Sequence, residues 1–365
     1  MKNSTTSFRK LAHLEICLQE NTQTKQTTRL EDFHFIHRAC SNLDFNEIDI
    51  STSLWDKKLD MPLMVAGMTG GHPEVREINE LIAKAVEKNH LAMGVGSERA
   101  AIENKNEYIT ESFQIVRKFA PNTLLMGNLG VAQFSNEGSY GISEIQQAID
   151  LIQADALAIH VNPAQEVVQL EGDTNFFGFW ENIQKFLPQV SVPVILKEVG
   201  SGFSQEDAKL LENSLLAGVD VGGTGGTSWV AVESLRAQRS NQRLQQETGQ
   251  VFWDWGIPTA LSVLETRHIC KDKIIIATGG VRNGLEMAKL LALGADIVGM
   301  AMPFLHAANK GEEELEYFVQ KIKKECKMAL FLTGCRNIQE LRKVPMIVTG
   351  FSKDWLEQRH IPFLR

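Results

Sequence analysis

From about residue 60 onward one pattern recurs eight times: a short apolar, β-branched run followed by a segment with helical spacing. The runs are Met61–Met68, Leu91–Ser97, Leu124–Gly130, Ala156–Asn162, Pro193–Val199, Val219–Gly225, Ile274–Gly280 and Asp296–Met302. Strands so uniformly apolar are buried on both faces, which requires parallel pairing beneath a cover of helices. Pro73–Asn89, Ser143–Ala154, Ser204–Ala217 and Asn283–Gly294 supply helical segments between them, the last three with Ser, Asn or Asp near their starts. Eight such units predict an α/β fold, a (β/α)8 TIM barrel, in preference to a doubly wound open sheet.

The barrel accounts for residues 61–310. Residues 1–60 precede the first strand and are expected to form helices and cap one barrel end. Residues 311–365 read as helical and complete the outer shell. Between strands six and seven lies a polar run, Ser234–Gln250, followed by Trp253 and Trp255. An insertion at a strand's C-terminal end is either a mobile lid or a surface excursion.

Charge narrows the partners. The formal net charge is −8, which argues against nucleic acid or an anionic membrane. A polyanionic ligand must therefore be held by local cations or backbone amides. The five cysteines, Cys17, Cys40, Cys270, Cys326 and Cys335, show no CxxC spacing, so neither a disulfide framework nor a zinc site is expected. With no apolar leader core and no run of spanning length, a cytoplasmic protein is expected.

In this fold chemistry sits at the C-terminal ends of the strands. Gly279-Gly280 after strand seven and Gly299 to Pro303 after strand eight expose backbone N–H groups just before helix N-termini, which favour anions. Either alone is a tight turn; both together, at the two positions where barrels hold phosphate, point to a phosphate-containing cofactor. Gly222–Gly226 with Thr227 adds a third donor surface. Lys197 closes an apolar strand and needs a partner, either an acidic neighbour such as Glu198 or a ligand; beside a flavin it would face N1 and O2. Asn128 either serves the same ring or satisfies loop backbone. The densest segment is His160 to Glu166, where His160 and Asn162 lie one strand repeat apart and point the same way.

Together Arg9-Lys10-x-x-His13, AGMTGG, GSERA, NLG, HVNPAQE, LKEVG, GTGGTSW, ATGGVRNG and GMAMP, in order from about residue 9 to about residue 308, closely resemble the type 2 isopentenyl diphosphate isomerases. HVNPxQE with GTGGTSW is the specific part; other FMN barrels share the glycine motifs. The resemblance implies FMN contacts at Gly67, Met68, Thr69, Ser97, Asn128, Lys197, Thr227, Gly280, Val281, Arg282, Ala301 and Met302. It implies substrate contacts from Arg9, Lys10, His13, Ser97, Glu98, Arg99, His160, Asn162 and Gln165, with Glu166 on Mg2+ and Gln165 catalytic. It further implies NADPH or NADH as reductant and a homotetramer or homo-octamer. Glu98 stands where the family more commonly has Gln or Met, and a carboxylate beside a diphosphate is unfavourable.

The charges of Arg9, Lys10, His13, Arg99 and His160, with Mg2+, are expected to balance a diphosphate. The implied reaction protonates C4 of an unactivated alkene and deprotonates C2, so an acid stronger than an ordinary side chain is required; reduced FMN fills that need. The rivals are an FMN oxidoreductase of hydroxy acids or dihydroorotate, whose paired arginines the strand-four loop lacks, and a non-catalytic flavin sensor. A barrel of the IMP dehydrogenase kind needs a nucleophilic Cys after strand six, and none lies between Cys40 and Cys270.

Overall fold

The computed structural model describes residues 2–104 and 106–363, with backbone alone for residues 2–8. Eight parallel strands close into a barrel: β1 (Leu63–Val65), β2 (Ala92–Gly94), β3 (Leu124–Gly130), β4 (Ala156–Val161), β5 (Val194–Glu198), β6 (Gly218–Asp220), β7 (Ile274–Ala277) and β8 (Ile297–Met300). Pairing of β8 with β1, Val298 opposite Leu63, completes the ring. Each expected run overlaps one strand, though most strands stop early. The sixth and seventh runs leave the ladder before their glycines; Gly222, Gly279 and Gly280 have φ of 46°, 107° and 73°, a region that favours glycine.

Alternation along the strands sorts the interior. Met64, Ala92, Met126, Ala158, Ile195, Ile276 and Ile297 form a buried cluster inside the barrel. One strand repeat further on, the same face carries Asn128, His160, Lys197 and Thr278. The interior is therefore apolar below and polar above, and the polar layer is the floor of the site.

The first sixty residues reach both barrel ends. At the lower end the antiparallel pair Thr52–Leu54 and Lys57–Leu59 inserts Leu54 and Leu59 into the interior cluster. At the upper end lies α1 (Lys2–Gln19). The chain after it is stitched to the loop following β6: Thr24 N–H donates to the Gly226 carbonyl (2.8 Å) and Ser228 N–H to that of Thr22 (2.8 Å). Further elements frame the site: α2 (Arg99–Glu103), α3 (Pro163–Val168), α4 (Trp229–Arg239), α5 (Arg243–Val251), α6 (Gly284–Leu293) and α7 (Met302–Lys310).

The insertion between β6 and β7 forms α4 and α5. Its Trp253 indole donates to the Gln23 carbonyl (3.0 Å), and Asp254 accepts from Lys25 N–H (2.6 Å). It braces the segment that carries α1. Beyond residue 311 the helices Glu312–Thr333, Ile338–Leu341 and Gly350–Gln358 are interrupted by a strand, Met346–Val348, antiparallel to Phe33–Phe35. Among the described residues no helix is long and apolar enough to cross a membrane.

Candidate active site

One cavity of about 1640 Å3, mouth included, opens above the polar layer. Its lining includes Gly67, Met68, Thr69, Ser97, Asn128, Lys197, Thr227, Gly280, Val281, Arg282, Ala301 and Met302 on the strand ends. Arg9, Lys10 and His13 from α1, Arg99 from α2, and His160, Asn162, Gln165 and Glu166 around α3 share it. Of the sequence-derived residues only Glu98 is absent from this lining. Its side chain is fully buried behind the wall, where Oε2 accepts the Asn128 backbone N–H (2.7 Å) and Oε1 has no partner. Burial pushes its carboxyl up to about 8, so it is neutral at pH 7.

The strand ends suit a bulky planar cofactor with a phosphate tail. A Cβ at Gly279 would fall 2.1 Å from the Gly223 carbonyl oxygen, and one at Gly280 2.2 Å from that of Gly225. Only glycine allows the ends of β6 and β7 to pack so closely. Arg282 beside them is held by Gln23.

Lys197 finds its partner across the sheet. It is in register with Asp220 on β6, and its Nζ lies 2.7 Å from a carboxylate that is wholly buried. Thr278 donates to the other Asp220 oxygen. Glu198, the neighbour suggested by the sequence, instead uses its carboxylate on the N–H groups of Gly200 (2.6 Å) and Ser201. The single charged residue within the sixth apolar run was the available signal for Asp220.

His160 is held by Asn128, whose Oδ1 lies 2.8 Å from Nδ1, while the Asn128 amide donates to the Val95 carbonyl (3.0 Å). Asn128 thus orients the histidine. Burial first, then the nearby Lys197 and Lys10, depress the His160 imidazole to about 3. It is neutral, not the cation counted from sequence. Burial also lowers Lys10, aided by adjacent Arg9, to about 7; its ammonium donates to the Ser97 carbonyl.

Gln165 and Glu166 are placed by α3, which Pro163 starts in its first turn. The Asn162 amide donates to Gln165 Oε1 (3.1 Å) and to Glu166 Oε1 (2.9 Å). Gln165 Nε2 faces Glu233 Oε1 at 3.5 Å. Glu233, on α4, was not singled out in the sequence, where it borders the polar run Ser234–Gln250; its side chain is nearly inaccessible and pairs with His13 (2.7 Å) and Arg236 (2.7 Å). Burial opposes its ionisation, yet these partners prevail and bring it to about 2. Burial raises Glu166 against the Asn162 hydrogen bond. Its Oε2 takes Asp173 N–H (2.8 Å) and Gln169 Nε2 (3.1 Å), leaving lone pairs for a cation. Among the described residues no group of three His, Cys, Asp or Glu could hold a metal. A divalent ion at Glu166 would complete its shell with water and ligand oxygens, as Mg2+ does.

A closed (β/α)8 barrel with glycine-built ends on β6 and β7 and a lysine on β5 defines a flavin-type barrel enzyme. Residues 143–347 match the FMN-dependent dehydrogenase family. A flavocytochrome b2 variant shares the fold at a TM-score of 0.66 and 18% identity, covering 97% of this chain and 89% of that one. Mandelate oxidase with (S)-2-phenylpropionate does so at 0.62 and 16%, with 88% of each covered. Relatives named isopentenyl-diphosphate delta-isomerase are far more alike in sequence. That of Metallosphaera sedula is 45% identical over 96% of this chain and 95% of its own length. That of Methanosarcina barkeri is 41% identical over 98% and 96%. The chain belongs to the isopentenyl-diphosphate delta-isomerase family, a branch of the FMN-dependent barrel enzymes.

Proposed function

We propose that this enzyme interconverts isopentenyl diphosphate and dimethylallyl diphosphate, moving one proton from C2 and one to C4 without net redox change. The observation that carries the reading is a single arrangement. His160, Asn162, Gln165 and Glu166 face the glycine-built strand ends across one cavity, beneath the cations Arg9 and Lys10 of α1. The names of the relatives support it.

The ends of β7 and β8, with the N-termini of α6 and α7, would hold the FMN phosphate. Lys197 and Asn128 would meet the ring edge at N1 and O2. Bound and reduced, FMN supplies an electron-rich, proton-bearing ring beside the alkene, suited to a transition state resembling a tertiary cation. Lys197, paired with Asp220 at 2.7 Å, would favour the reduced anionic ring. Glu166 would hold Mg2+ on the diphosphate, while Arg9, Lys10 and Arg99 take its remaining oxygens. His160 would donate to the same anion once protonated. Gln165 is fixed between Asn162 and Glu233, so its amide can hold the migrating proton's path at the alkene. NADPH or NADH would visit only to reduce the flavin. A cytoplasmic homotetramer or homo-octamer accords with this reading, as do five cysteines outside any disulfide.

The test is a turnover assay under anaerobic conditions with FMN, Mg2+, isopentenyl diphosphate and limiting NADPH. Many product molecules per NADPH are expected; oxidation of one NADPH per turnover would install the oxidoreductase reading instead.

A further inference from the structure

Residues 20–28, just past the end of α1 at Gln19, lie as a strap across the turns that follow β6 and β7. The backbone of Gln23 pairs with that of Thr227. Thr28 packs on the glycines: a Cβ at Gly225 would fall 2.4 Å from its nitrogen, and one at Gly280 2.6 Å from its Cγ2. Gln23 is the node of the strap. Its carbonyl accepts the Trp253 indole N–H, its Nε2 lies 3.5 Å from Thr227 Oγ1, and its Oε1 accepts from Arg282 Nη2. Thr227 and Arg282 both line the cavity. Arg282 is a cation among neutral oxygens. Its Nη1 donates to the Val281 carbonyl (3.3 Å), while the Glu286 carboxylate takes the Arg282 backbone N–H (2.7 Å). Burial holds the guanidinium below its ordinary value despite Glu286, and a desolvated cation with neutral partners favours an anion. A guanidinium carries five N–H donors in one rigid plane. A phosphate taken by two of them leaves the Gln23 bond in place and fixes its direction.

We propose that Gln23 is a positioning residue that couples two parts of the cavity: the FMN phosphate, by locking Arg282, fixes the strap and so the cap bearing Arg9, Lys10 and His13. The inference rests on the FMN reading, with the phosphate at the end of β7. The effector is the phosphate and not the ring. Coupling is reciprocal, so whatever settles the cap also tightens FMN.

The test is amide hydrogen exchange of the whole chain, flavin-free, saturated with riboflavin and saturated with FMN. Riboflavin carries the ring without the phosphate. In wild type FMN is expected to slow exchange across residues 9–19 of α1 about fivefold more than riboflavin does, the lower end of ordinary coupling. In Gln23→Leu, which keeps the bulk and removes both amide contacts, the two flavins should protect α1 equally. A merely structural Gln23 would lower protection with both flavins and leave their difference intact. That result, or equal protection by the two flavins in wild type, overturns the proposal. FMN binding no tighter than riboflavin would instead remove the phosphate placement on which the inference rests. Should Gln23→Leu not hold FMN, Gln23→Asn, too short to reach both Arg282 and Thr227, takes its place with the same expected loss.

Discussion

Replacing Glu98 by Gln should make the protein more stable, and increasingly so as pH rises. In the folded protein the Glu98 carboxyl stays protonated up to about 8, against an ordinary value of 4.5. A folded-state value raised in this way contributes stability that is complete below pH 4.5 and lost as pH rises through about 8. Between pH 4.5 and 7 the unfolded chain gains the advantage of ionising, worth about 1.4 kcal/mol per pH unit, so wild type forgoes about 3 kcal/mol by pH 7. Gln keeps the shape and an oxygen for the Asn128 N–H, and its NH2 takes the place of the oxygen that has no partner. Denaturant unfolding of the flavin-free protein at pH 5, 7 and 9 measures the difference. The two proteins should be nearly equal at pH 5 and diverge by a few kcal/mol at pH 9. A constant difference across the range, or a variant less stable at pH 9, would refute the reasoning.

Pyrophosphate binding should take up protons near pH 8, because Lys10 and His160 are largely neutral there and an anion favours their charged forms. Binding heats in two buffers of different ionisation enthalpy reveal this, and buffer-independent heats would contradict it. Lys197→Ala should lose flavin and also destabilise the fold by about 3–5 kcal/mol, since Asp220 would remain buried without its cation; full FMN content or unchanged stability would remove the corresponding role. Gln165→Leu should lower kcat by about 100-fold with FMN content and KM retained, whereas a raised KM with normal kcat would make Gln165 a positioning residue.

The barrel was legible because strands buried on both faces leave unbroken apolar runs, and because their polar ends fall where the fold puts its chemistry. Asn128, His160 and Lys197 could be read this way, being one repeat above apolar interior positions. The hairpin at the lower end could not. Its turn is Trp55-Asp56 with φ of 44° and 64°, a conformation usually announced by Asn-Gly or Asp-Gly, and its strands are three residues each. The ion-pair partners were also hidden. Glu171, which pairs with Arg9 and Arg236, and Asp173, which pairs with Arg99, lie in a polar stretch whose spacing shows no direction, and Glu233 borders another. Their importance comes from distant arginines and a histidine brought near by the fold. The charge state of His160 was misread for a related reason: sequence reports residue type, while protonation follows from burial and neighbouring cations.

The N-terminal cap has a consequence for synthesis. Arg9, Lys10 and His13 leave the ribosome before any barrel strand, but the groups that hold them are made much later. His13 and Glu233 are 220 positions apart, and Gln23 waits 259 positions for Arg282. Among the described residues Phe33–Phe35 pairs with Met346–Val348, which is made later still. Contacts of such long sequence separation are slow to form, so the cap docks at the end of folding rather than nucleating it. A nascent chain carries Arg9, Lys10 and His13 without the surface that aims them. Competence to bind the diphosphate proposed above would thus arrive only once the segments carrying Glu233 and Arg282 have folded around the cap.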